Sequence, residues 1–92
     1  SMNDSFSVFN NLNIKISEDI VSRKNSDGTV IIMKMEDGDI FYKMNGIAAS
    51  VYKELEIGKN LNSICHEILK EYNVTEEVII KDVKNLIDEL CF

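Results

Sequence analysis

The apolar pattern of this chain changes period once, at Asn45, and that single switch restricts the fold more than any other feature. Before it, in "TVIIMKM" and "DIFYKM", β-branched and aromatic residues occupy short runs bounded by turn residues. After it, apolar residues recur three and four positions apart. Period two sends successive side chains to opposite faces of a strand, whereas three-and-four spacing marks one face of a helix. Strands that all precede helices define an α+β chain.

Two turn signatures divide the strand half. Asn25-Ser26-Asp27-Gly28 closes "DIVSRK", with Gly28 free to take the positive φ a hairpin needs. Glu36-Asp37-Gly38 then reverses the chain after Thr29 to Met35. The expected sheet is a three-stranded antiparallel meander over Asp19 to Met44, in the order 1-2-3, with the third strand at an edge. In that strand Phe41 falls on the opposite side of the pleat from Ile40, Tyr42 and Met44. Further upstream, Phe6, Val8, Leu12, Ile14 and Ile16 share one parity, broken only by Asn10, which predicts an extended, half-buried strand. Residues 1–18 are accordingly set apart from a unit over 19–92. The extended segment is expected to pair with the sheet, either on the edge at Ile40 to Met44 or across a dimer.

The second half reads as three capped amphipathic helices. Asn45 precedes Ile47, Ala48, Val51 and Leu55, with Gly58 near the stop. Asn60 precedes Leu61, Ile64, Cys65, Ile68, Leu69 and Tyr72. Thr75 precedes a first turn carrying Glu76 and Glu77, whose charges suit the helix dipole, and a stripe of Ile79, Val83, Leu86, Ile87 and Leu90. The helices are expected over Ile47 to Glu56, Leu61 to Tyr72 and Glu76 to Leu90. Val78 falls off the last stripe.

Chemistry is hard to find in this sequence. With 92 residues and 45% hydrophobic content, the chain supplies one small core. A net charge of −6 without any basic block disfavours nucleic acid and anionic lipid as partners. No apolar run is long enough for a membrane span, and no charged-then-apolar leader is seen. Cys65 and Cys91 lie far apart without metal-ligand spacing, which suggests a reducing cytoplasm and makes Cys65 core. His66 is expected to project to solvent with no carboxylate or cysteine at ligand spacing. Asp37 with Asp39, and Glu76 with Glu77, are explained by a turn and a helix start. Met33, Met35 and Met44 at strand spacing read as core filler. The reading is of a protein without catalytic residues, metal or cofactor.

The order of elements resembles the PqqD family and the wider group of recognition elements for ribosomally synthesised, post-translationally modified peptides. The residues that carry the resemblance are Tyr42-Lys43-Met44-Asn45, Val51, Leu55, Gly58, Leu61, Ile64, Ile68, Tyr72-Asn73-Val74, Val78, Asp82-Val83, Leu86 and Leu90. The resemblance covers roughly Asp19 to Phe92. Gly46 departs from the polar residue more usual at that helix start, and Cys91-Phe92 from the usual Gly-Leu-Leu-like end. The resemblance implies a winged-helix-like domain, a three-stranded antiparallel sheet followed by a three-helix bundle. It also implies binding of the leader of a precursor peptide as an added strand and its presentation to a modifying enzyme, in many systems a radical SAM protein.

An exposed edge strand supplies the unpaired N–H and C=O groups that such binding needs. Ile40, Phe41, Tyr42, Lys43 and Met44 are the candidate edge, and Val78, Lys81, Asp82 and Asn85 the facing wall. Lys43 and Lys81 are candidate attractors of an acidic leader. Two other readings compete. A winged helix can bind DNA, but the last two helices set Lys70, Lys81 and Lys84 against seven acidic residues, Glu67, Glu71, Glu76, Glu77, Asp82, Asp88 and Glu89. The edge can also pair with its own kind in a homodimer.

Overall fold

The computed structural model describes residues 4–35 and 41–90. It opens with a short 3₁₀ helix, η1 (Ser5–Phe9), followed by three strands, β1 (Ile20–Lys24), β2 (Val30–Lys34) and β3 (Phe41–Met44). Three helices complete it: α1 (Gly46–Glu56), α2 (Leu61–Glu71) and α3 (Glu76–Leu90). The sheet is antiparallel in the order β1-β2-β3. Arg23 pairs with Ile31 across the first hairpin, and Ile32 pairs with Tyr42 across the second. The α+β architecture expected from the period switch is therefore the observed one.

Local chemistry explains the boundaries. Gly28 adopts φ +89 in the β1–β2 turn, where Thr29 donates through both its amide and its hydroxyl to Asp27. The Asn60 side chain accepts the Ser63 amide at 3.2 Å, and Thr75 Oγ1 accepts the Val78 amide at 3.2 Å, so two helices start on side-chain caps. Asn45 occupies the cap position of α1 but makes no side-chain cap bond. Gly58, at φ +90, lets the Lys59 amide return to the Glu54 carbonyl and ends α1.

One face of the sheet is covered. Val30, Ile32 and Met44 point into a single buried cluster with Val51, Tyr52, Leu55, Ile64, Cys65, Ile68, Ile79, Val83 and Leu86 from the helices. The helical stripes fall where their spacing puts them, except in α1, where Ala49 is buried and Ala48 only partly so, and where Tyr52 is fully buried. Its phenol is pushed up to about 12 by burial first and then by the charge of Glu56, which accepts its hydrogen bond at 3.3 Å.

The N-terminal segment corrects the sequence reading. Phe6 to Ile16 is not a strand, and among the described residues no strand begins before Ile20. Three residues per turn in η1 bring Phe6 and Phe9 to one side, where they are 0% and 3% exposed, while Val8 is 56% exposed. The helix packs on α2 and α3. Asp4 caps it by accepting the Phe6 amide at 3.0 Å. The Glu36-Asp37-Gly38 turn, Asp39, Ile40, Cys91 and Phe92 lie outside the described residues, as does the side chain of Phe41.

Removing a fully buried aromatic ring costs about 3–5 kcal/mol. Phe6→Ala is therefore expected to lower the unfolding free energy by about 3 kcal/mol in urea titration, and deletion of residues up to Asn13 to lower the melting temperature. Unchanged stability in either variant would mean that η1 is not part of the core.

Candidate functional site

The third strand is held from one side. Its inward residues, Tyr42 and Met44, pack on the core, while its backbone pairs only with β2 among the described residues. The other side of the strand is an open edge, and alternate residues of such an edge carry N–H and C=O groups that no neighbour satisfies.

Directly beside this edge runs a groove of about 390 Å³. Tyr42, Asn45, Gly46, Ile47 and Ala48 form one wall, Tyr72 closes the space between, and Asp82 and Asn85 stand on α3 opposite. The Tyr72 hydroxyl is fixed to Ser50 Oγ at 2.6 Å, which ties the end of α2 to α1. Gly46 makes the sharp passage from β3 into α1 at φ +54, a left-handed conformation that costs other residues about 1–2 kcal/mol. No atom lies within 4 Å of where a Cβ would stand, so it is the backbone angle and not space that calls for glycine.

Helical spacing sorts the residues of α3. Val78, Asp82 and Asn85, at i, i+4 and i+7, share one face, and Val78 is 41% exposed, off the buried stripe as its spacing requires. The same face brings carboxylates toward Tyr42: its phenol is raised by burial first, then by the charges of Glu89 and Asp82. Lys81 lies on the adjoining flank, in a shallow depression with Glu77, Ile80, Lys84 and Asp88. Lys43 pairs with Ile31, whose side chain faces the outer surface of the sheet with Val21, Arg23 and Met33. Hydrogen bonds from Thr29 hold the Asp27 carboxyl below its usual range, and the Lys43 charge adds to them. The structure thus gathers Tyr42, Asp82 and Asn85 in one groove with Val78 on the same helical face. It sets Lys81 at the flank and turns Lys43 away.

The single histidine is exposed, as its spacing predicted, but it has a carboxylate partner that the sequence reading did not give it. His66 Nε2 lies 3.2 Å from Asp4 Oδ2, and its ring meets Phe6 edge to face at 5.0 Å. The Asp4 carboxyl is lowered, chiefly by the His66 hydrogen bond and then by the Phe6 amide. This contact fastens η1 to α2. Cys65 is fully buried, and its thiol is pushed up to about 11 by burial and then by the Asp4 charge, so it is packed as core and held in its protonated form at neutral pH. Among the described residues no cluster has the composition of a metal site, and no helix is long and apolar enough to cross a membrane.

An open-edged three-stranded sheet followed by three helices, with a groove between the edge strand and the last helix, defines the class. The chain belongs to the PqqD family: the family model for coenzyme PQQ synthesis protein D (PqqD) matches residues 29–91. Among solved structures it is similar to "TbiB1 in Complex with the TbiA(beta) Leader Peptide", with a TM-score of 0.72 and 25% identity. That match covers 84% of this chain and 87% of the other. No curated protein sequence matches the chain significantly.

The strained junction yields a direct test of how the groove is built. Gly46→Ala is expected to destabilise the domain by about 1 kcal/mol, a drop of roughly 4–8 °C for a domain this small, measured by calorimetry. An unchanged or higher melting temperature would show that the β3–α1 junction does not need a left-handed residue.

Proposed function

We propose that this domain binds the leader region of a ribosomally synthesised precursor peptide as an added β-strand and presents it to a modifying enzyme. The observation that carries the reading is the β3 edge, open along its backbone and flanked by a groove whose far wall is α3. An extended peptide pairing with residues 40–44 sends every second side chain toward the groove and the others toward the outer surface. Backbone pairing at Ile40, Phe41, Tyr42, Lys43 and Met44 supplies affinity and direction. Val78, Asp82 and Asn85 read side chains, and Lys81 stands at the margin. Family membership and the likeness to a leader-bound protein support this role.

In this reading the domain is a non-catalytic adaptor acting in the cytoplasm, and the enzyme it serves is of the radical SAM class. The open edge also favours a second arrangement, in which β3 of two copies pair and the peptide displaces the partner. Dissociation of a dimer on adding peptide, seen by light scattering, separates this from a monomeric adaptor. The acidic faces of α2 and α3 speak for a peptide and against duplex DNA as ligand.

The test uses a synthetic leader peptide, chosen by reading the neighbouring genes for a short precursor. Val78→Lys should weaken its binding roughly tenfold, from loss of an apolar contact of about 1–2 kcal/mol, while the melting temperature stays nearly constant. Wild-type affinity in the variant would remove α3 from the binding surface. Salt-sensitive binding to arbitrary duplex at low ionic strength would overturn the peptide reading.

A further inference from the structure

The groove has a chemical preference that the open edge alone does not predict. Asp82 is half-buried on its wall, and no hydrogen bond or ion pair reaches its carboxylate among the described residues. Glu89 lies close enough for its charge to act, with that of Asp82, on the same phenol. The nearby cations do not line the groove. Lys43 stands on the outer face, and Lys81 and Lys84 share their depression with Glu77 and Asp88. What the groove holds, besides Tyr72 fixed to Ser50, is the Tyr42 ring together with an unpaired carboxylate.

We propose that this groove selects leaders that place a lysine or arginine side chain between the Tyr42 ring and the Asp82 carboxylate. The inference rests on strand addition at β3 and specifies what that site reads. Raised by burial and by its acidic neighbours, the Tyr42 phenol stays neutral, so its ring adds no negative charge of its own and offers a face to the alkyl stem or the cationic head. Asp82 then gains a charge-assisted hydrogen bond where it has none. An acidic side chain at the same position meets the Asp82 carboxylate, with the charge of Glu89 adding to the repulsion, and salt screens this local effect less than the net charge of distant residues. Lysines on the outer face and the flank do not reverse this. Because strand side chains alternate, the preference falls on one register position, and its immediate neighbours in the peptide face away from the groove.

A displayed library of random short peptides is the probe, sorted separately against the wild-type chain and against Asp82→Asn, with amide chemical shifts of β3 confirming where each selected peptide sits. Edge-binding peptides selected by the wild type should carry Lys or Arg at one fixed position. Replacing it by Met should weaken binding roughly tenfold, and Asp82→Asn should abolish that difference while Lys81→Gln leaves it in place. Peptides that engage β3 without a basic preference, or with one that persists in Asp82→Asn, overturn this inference and leave the strand-addition reading standing. A selection in which no peptide perturbs β3 overturns both.

Discussion

Everything in the candidate site depends on β3 being anchored from one side only. Pairing of Ile32 with Tyr42 and of Val30 with Met44 fixes the strand to β2, and Met44 is buried in the core. The opposite edge needs no further neighbour for the fold to be stable, because the helices already cover the inner face of the sheet. The edge is therefore already formed before any ligand arrives. A peptide strand docking there pays its own ordering entropy but little for the protein, which is how preorganisation raises affinity.

The elements around the strand serve the same end by different means. Gly46 turns the chain from β3 into α1 without a linker, so the start of that helix becomes a groove wall. Packing of Ile79, Val83 and Leu86 sets the rotation of α3, and that rotation carries Val78, Asp82 and Asn85 to the groove side. On the far side of the bundle, η1 seals α2 and α3 through Phe6 and Phe9, pinned by the contact between Asp4 and His66. Core packing thus determines the geometry of a surface site, and the residues proposed to read a ligand are those the core leaves over.

Features encoded locally were legible in the sequence. Gly28 and the caps at Asn60 and Thr75 act within a few residues of their own positions, and the phase of α3 follows from its apolar spacing, so Val78 was placed off the stripe from pattern alone. The N-terminal segment was misread because five apolar residues of one parity mimic a strand, while the spacing that decided the matter was the i, i+3 pair Phe6 and Phe9. His66 found its carboxylate 62 residues away, a pairing that no local pattern announces. Lys43 offers a different lesson. It shares parity with Phe41, so the period-two rule already turned it away from Tyr42 and the groove.

The central claim is that the open side of β3 receives the backbone of an extended peptide. Residue-resolved amide hydrogen exchange, with and without a bound leader, reads it most directly. The account predicts that alternate amides across 41–44 exchange quickly in the free domain and become protected when the peptide binds, with β1 unchanged. Peptide binding that leaves these amides unprotected, or that protects the β1 edge in their place, would contradict it.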